Sequence, residues 1–388
     1  MSLSTAADAL LQQGVADGAA AGVVAAATTA SDTLYEAGFG ERVLGEGTAM
    51  SPDTVGWIAS MTKAVTGTAA MQLVEQGKLD LDAPAGTVIP HLAEVEVLKG
   101  FDGRGQPVTR PANTPITLRH LLTHTSGFVY EIWDADILRF QEATDTPQVT
   151  TCKDAALMTP LEFDPGERWE YGIGIDWAGK MVEAVSGQRL GEYMKANIFE
   201  PLGMASTAFK ITPDMNARLA KIHARGEDGS LAPMDLILEQ EPEFEMGGGG
   251  LYSTAGDYLK FVRMILNKGK ANGNQVLKPE TVEMMSVNQM GDCRVHELKT
   301  AMPPYSNDAE FFPGLEKTWG LTFMINEEEA PTGRSPGSLA WAGLANSFYW
   351  IDPAKGIGGV YLSQVLPFAD VKALPLYLDF ETAVYRNA

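Results

Sequence analysis

Apolar residues recur at helical spacing over residues 3–14, "LSTAADALLQQG", which predicts an opening helix that ends at Gly14 or soon after. The period then shortens. "GVVAAATTA" (22–30) and "TLYEAGFGERV" (33–43) read as neighbouring antiparallel strands, with Ser31-Asp32 as the turn between them. "TVGWIAS" (54–60) is a short apolar run, and "MTKAVTGTAAMQLVEQG" beyond it keeps helical periodicity up to a stop at Gly77. From about residue 80 to residue 300, helical stretches such as "ITLRHLLTHTSG", "IDWAGKMVEAVSG", "RLGEYMKANIFEPLG" and "STAGDYLKFVRMILNKG" alternate with Pro/Gly loops. Within this middle, "KGFDGRGQPVTRPANTP" (99–115) has many turn formers and few apolar anchors, and is expected to be an inserted loop or hairpin. Beyond 317, "TWGLTFMIN", "SLAWAG", "NSFYWIDP" and "GIGGVYLSQV" return to strand-like patterns, and "ADVKALPLYLDFETAVYRN" predicts a closing helix.

Strands at both ends and helices between them predict an α/β fold of the α+β type. One antiparallel sheet would be built from the N- and C-terminal segments, 1–80 and 300–388, and flanked by helices. A mostly helical lobe, approximately 81–299, would be inserted between them. No repeat, low-complexity tract or linker divides the chain, so a single catalytic domain over 1–388 is expected. A cleft between sheet and lobe is the natural place for a site.

Composition narrows the chemistry. With 45% hydrophobic and 20% charged residues, the 388-residue chain is an ordinary globule with a sizeable core. Its 29 basic and 50 acidic residues give a net charge of −21, which repels phosphate backbones and anionic membranes, so neither nucleic acid nor a membrane is an expected partner. No apolar run approaches the ~18 residues of a membrane span. "GAAAGVVAAATTA" (18–30) lacks the basic start of a secretory signal, and the chain as it stands reads as cytoplasmic, with a leader removed ahead of Met1-Ser2-Leu3 left open. Cys152 and Cys293 have no metal-ligand spacing, and neither do the five histidines, so no metal or other cofactor is expected. A single disulfide and the oligomeric state stay open.

Two short motifs compete for the role of nucleophile. "GRSPG" (333–337) spells the G-x-S-x-G elbow of α/β-hydrolases around Ser335. That elbow needs the N–H of the residue after the serine as an oxyanion donor, and here that residue is Pro336, which has none. It also needs a strand before and a helix after, whereas "INEEEAPT" precedes it and "GSLAWAG" follows. GRSPG is therefore read as a surface turn. "SMTK" (60–63) lies where an apolar run enters a helix, so Ser60 and Lys63 share one helical face. A serine hydroxyl needs a base, and a desolvated lysine can be one. It is the only S-x-x-K in the chain, set among small apolar residues. The plain alternative is a helix start that Ser60 caps and Lys63 leaves for solvent. His124 could join a Ser-His-Asp arrangement, but in "THTSG" it is expected to bond backbone in a buried turn.

Five segments in fixed order carry a resemblance: "SMTK", "LRHLLTHTSG" (118–127), "PGERWEYGIGIDWAG" (165–179), "GGGGLYSTAGDY" (247–258) and "WAG" (341–343). Together they resemble the class C β-lactamase and penicillin-binding-protein-like serine hydrolases, most of all the family VIII carboxylesterases and related acyltransferases. The resemblance runs from about residue 10 to the C-terminus. It implies the β-lactamase/transpeptidase-like fold, with Ser60 as acyl nucleophile and Lys63 as general base. It also implies that Tyr171 passes a proton to the leaving alcohol, and that the N–H groups of Ser60 and Leu344 form the oxyanion hole.

Departures from the β-lactamase pattern bear on the substrate. Where penicillin-recognising members carry the lysine of K-T-G this chain has Trp341, followed by Ala342 and Gly343, and where they carry the asparagine of Y-x-N it has Ile173. An indole cannot hold a carboxylate as a cation does. The expected activity is that of a serine carboxylesterase acting on small to medium acyl esters through a covalent acyl-enzyme, with acyl transfer as a second outlet. The alternatives are a β-lactamase or D-alanyl-D-alanine carboxypeptidase, and a catalytically silent binding protein on the same scaffold. The latter would be expected to lose Ser60, Lys63 or Tyr171. Tyr130, Trp133 and Phe140 are expected to form a hydrophobic entrance, the alternative being a helix that packs its apolar side on the lobe, and Asp176 to orient the surroundings of Tyr171 or simply to begin the next helix.

Overall fold

The computed structural model describes residues 2–388. The first elements are helix α1 (Leu3–Ala16) and strands β1 (Gly22–Thr29) and β2 (Thr33–Gly40). The two strands pair antiparallel across the Ser31-Asp32 turn. Helix α2 (Thr62–Glu75) stops just before Gly77, whose φ of +68° suits glycine. In the middle of the chain come α3 (Leu118–Leu122), α4 (Ala135–Thr144), α5 (Gly174–Ser186) and α6 (Ala255–Leu266). The turn-rich stretch at 99–115 contributes to a hairpin, Glu96–Phe101 against Pro107–Pro111. Strands β3 (Lys317–Trp319), β4 (Met324–Asn326), β5 (Ser338–Gly343), β6 (Ser347–Asp352) and β7 (Ile357–Leu362) follow, and α7 (Ala373–Asn387) closes the chain.

One seven-stranded antiparallel sheet in the order β3-β4-β5-β6-β7-β1-β2 joins the two ends of the chain. Alternation along β6 assigns its faces. Phe348 and Trp350 meet Tyr377 and Phe380 of α7, with the Phe348 and Tyr377 rings stacked at 4.2 Å. Tyr349 instead meets Tyr258 of α6 at 5.1 Å, so α6 and α7 cover opposite faces. Packing cuts across the sequence division: α6, from the middle of the chain, lies on β1, β6 and β7, whereas α2, from the first eighty residues, lies on α5 of the lobe. No helix of the described residues is long and apolar enough to cross a membrane. Both cysteines are free thiols.

GRSPG is a turn with Pro336 and Gly337 exposed, but the sequence reading of a surface turn is corrected at its centre. Arg334 and Ser335 are buried, and Arg334 makes a paired contact with Glu381 of α7. The Ser335 N–H donates to Asp352 at 2.9 Å, and its carbonyl accepts from Asn326 and Ser338.

Candidate active site

The start of α2 is held by partners from two distant segments. Gly56–Trp57 pairs with Tyr252–Ser253, and Gln364 bonds both the N–H and the carbonyl of Trp57. The Trp57 indole donates to the Gly249 carbonyl at 2.7 Å, and Tyr258 donates to the Met61 carbonyl at 2.8 Å. Between them Ala59 sits at φ +43°, a left-handed conformation that a side chain disfavours. The turn Ala59–Met61 then leads into α2, so Ser60 is half-buried at its mouth and Lys63 is fully buried one turn on.

Lys63 Nζ lies 3.1 Å from Ser60 Oγ, 2.9 Å from the Tyr130 hydroxyl and 2.5 Å from the Gly248 carbonyl. It also sits 4.9 Å and 4.7 Å from the ring centres of Tyr130 and Tyr171. Burial pulls the Lys63 amine well below the ordinary lysine range, against the opposing charge of Asp176. Burial raises Asp176 in turn. Gly248 ties the two together, since its N–H donates to Asp176 Oδ1 at 2.7 Å while its carbonyl accepts from Lys63. A Cβ here would come within 2.4 Å of Asp176 and 2.8 Å of the Tyr130 hydroxyl, so this turn of the glycine run has no room for a side chain.

The Tyr171 hydroxyl accepts from the Trp341 indole N–H at 2.9 Å and faces Ser60. Burial pushes the phenol upward, so it stays protonated at neutral pH. Leu344 follows the last residue of β5 and lines the cleft with Ser60. Gly343 permits this approach, because a Cβ there would meet the Ile58 carbonyl at 2.3 Å.

Two narrow clefts open from Ser60, with Trp133 and Leu344 common to both. One, of about 10 Å³, is walled by Tyr171, Leu298, Trp341 and Phe368. The other, of about 20 Å³, is walled by Trp57, Tyr130, Ile132, Val149 and Met246. Each has room for about one water. None of the residues lining either cleft carries a charge.

Of the residues expected from sequence, Ser60, Lys63, Tyr171, Trp341, Ala342, Gly343, Leu344 and Trp133 come together at these clefts. Phe140 does not. It packs on α4 with Leu98, Ile137 and Phe163 in a separate apolar cluster, so the expected three-residue entrance reduces to Tyr130 and Trp133. Tyr130 is more than a wall, because its hydroxyl is a direct partner of Lys63. Asp176 lies in the first turn of α5 and also faces Tyr130. The Gly248 carbonyl was missed as a lysine partner, and the run Gly247–Gly250 was its only signal. His124 accepts the Gly172 N–H at 3.3 Å and lies against the Tyr171 ring at 4.7 Å. Burial lowers it far below its usual range, leaving it neutral.

The profile of the Beta-lactamase family matches residues 7–383. The chain is 33% identical over 350 residues to the ML-236A carboxylate methylbutanoyltransferase of Penicillium citrinum, covering 87% of this chain and 82% of that protein. It is 32% identical over 399 residues to the lovastatin esterase of Penicillium rubens, covering 98% of each. Among solved structures it is similar to a mutant simvastatin synthase from Aspergillus terreus, with a TM-score of 0.85, 32% identity, and coverage of 98% of this chain and 96% of that one.

Proposed function

The chain belongs to the beta-lactamase family, and we propose that within it this protein is a serine carboxylesterase that forms an acyl-enzyme on Ser60 and passes the acyl group to water or to an alcohol. The relatives that support this reading are an esterase and a methylbutanoyltransferase. Both reactions share one covalent intermediate and differ only in the acceptor.

The mechanism follows from the contacts. Lys63, which burial pulls down to about 7 so that a share of it is unprotonated near neutral pH, takes the Ser60 proton as Oγ attacks the ester carbonyl carbon. The carbonyl oxygen gains negative charge and is held by the N–H groups of Ser60 and Leu344. When the tetrahedral intermediate collapses, the C–O bond to the leaving alcohol breaks and Tyr171 supplies its proton; the Lys63 ammonium restores the balance. Deacylation runs the same steps with water or an acceptor alcohol as nucleophile. Tyr130, Gly248 and Asp176 hold the amine in place.

The observation that carries the substrate class is the wholly uncharged lining of both clefts. Within either cleft a penicillin carboxylate would find no cation in the lining to meet it, and unpaired buried charge is costly. Uncharged esters, with small to medium acyl groups as the proposed class, are what this lining favours. Hydrolysis of a chromogenic short-acyl ester and of a chromogenic cephalosporin by the same preparation tests this. The ester is expected to turn over at least ~100-fold faster in kcat/KM; comparable rates for both would remove the argument from Trp341.

A further inference from the structure

Tyr171 stands on a segment that two histidines grip in opposite senses. His124 takes N–H groups: its carbonyl accepts from Glu170 at 2.9 Å, and its Nδ1 accepts from Gly172 at 3.3 Å. His296 meets oxygens instead. Its Nε2 lies 2.9 Å from the Trp169 carbonyl and 3.3 Å from Glu170 Oε1, and its Nδ1 lies 2.9 Å from the Glu297 carbonyl. A carbonyl oxygen can only accept, so both ring nitrogens of His296 donate. A neutral imidazole has a single N–H, and His296 is therefore an imidazolium. The bond to Glu170, against the opposing effect of burial, lifts the ring to about 9, and the charge persists at neutral pH.

The two stretches joined in this way both reach the nucleophile. Tyr171 follows Glu170 directly and Leu298 comes two residues after His296, and both line the cleft at Ser60. Leu298 is fixed in turn by backbone bonds in both directions with Ala309, at 2.8 and 2.9 Å. The His296 ring also stands edge-on to Trp169, with 5.2 Å between centres. We propose that His296 is a positioning residue whose imidazolium fastens the loop carrying Leu298 to the segment carrying Tyr171, and so holds two walls of the Ser60 cleft in register. This rests on the reading of Ser60 as nucleophile given above. The ring is half-exposed, so its proton exchanges with solvent. The fastening is complete below the ordinary histidine range and is lost as pH rises through about 9.

Other titratable groups lie near His296. Glu170 also pairs with Arg168 at 3.3 Å. Glu297 and Lys299, on the loop itself, pair with each other at 2.7 Å, and Lys299 reaches Asp308 at 3.0 Å. The Cys293 thiol of the same loop meets the Gly166 carbonyl at 3.8 Å, and burial raises it. Asp134, ahead of α4, lines a cavity of about 230 Å³ together with His296, and its Oδ1 accepts the N–H groups of Asp136 and Ile137. Among these side chains it is Glu170 that bonds the imidazole.

The test pairs the pH dependence of kcat and KM for an uncharged short-acyl ester with an NMR titration of the histidine rings, on the wild type, Glu170→Gln, His296→Gln and Ser60→Ala. In the wild type kcat should fall as pH rises through about 9, with the His296 ring titrating over the same range. Glu170→Gln removes the counter-charge, so the ring titration and the alkaline limb of kcat should move down together by about one pH unit. His296→Gln keeps a donor and loses the charge. Its kcat at neutral pH should drop about 3–30-fold, with KM little changed and the alkaline limb gone. A Glu170→Gln enzyme whose ring titration moves while the limb of kcat stays would overturn the inference, and so would a wild-type His296 ring that is neutral at pH 7. Neither result depends on the folding of His296→Gln. Failure of the underlying reading looks different: the wild type would not turn over the ester, or Ser60→Ala would.

Discussion

Two buried basic side chains, Lys63 and Arg334, each lie within three residues of a serine in a hydrolase-like motif, and the protein treats them in opposite ways. Arg334 is fully matched. Its guanidinium donates to both oxygens of Glu381, at 3.0 and 2.5 Å, and to Tyr377 at 2.9 Å, while Thr332 completes the carboxylate's shell. The Glu381 charge raises Arg334 further despite its burial. Lys63 has no carboxylate bonded to it; Asp176 acts from beyond Tyr130, and burial wins. A buried cation with a bonded counter-charge stays charged and serves as a clamp. A buried amine without one gives up its proton and can act as a base. The difference in partners explains why the serine beside Lys63 suits chemistry and the serine beside Arg334 suits packing.

The comparison can be broken first at the base. Lys63→Arg installs a cation that does not deprotonate near neutral pH. It should lower kcat/KM by about 10²–10⁴-fold, the usual contribution of a general base. Steady-state kinetics together with a thermal melt would check this, and a variant that folds and retains more than a tenth of the activity would remove Lys63 from the role. At the clamp, Glu381→Gln strands the Arg334 charge inside the protein. The expected cost is about 3–5 kcal/mol of stability, read by denaturant unfolding, with kcat/KM of the folded enzyme unchanged within about 2-fold. Loss of activity at full stability would mean that the two regions are coupled.

Much of the fold was legible because it rests on local patterning. The helix–strand order at both ends and the glycine stop at Gly77 are short-range signals, and the structure follows them. "RLGEYMKANIFEPLG" was legible only in part. It begins as a helix at Leu190–Met194, widens into a π-helical turn at Lys195–Phe199, and ends at Glu200–Leu202 around Pro201, whose missing N–H breaks the ladder. Ser60, Lys63, Tyr171 and Trp341 were reached through motifs. The polar role of Tyr130 was not, because its partner is 67 residues away. GRSPG was legible in part for a similar reason: it is a turn and no elbow, but the partner that buries Arg334, Glu381, stands 47 residues beyond it. Phe140 shows the limit of an aromatic stripe, which says that a ring is buried without saying in which core.

The most direct test of the account is to trap the acyl-enzyme. The protein would be mixed with excess p-nitrophenyl ester and quenched in acid within the first turnovers. Mass spectrometry of the intact chain and its peptides would then locate the adduct. The account predicts one acyl group, on the peptide that contains Ser60, and none in Ser60→Ala. An adduct on the peptide containing Ser335, or rapid ester turnover by Ser60→Ala, would contradict it.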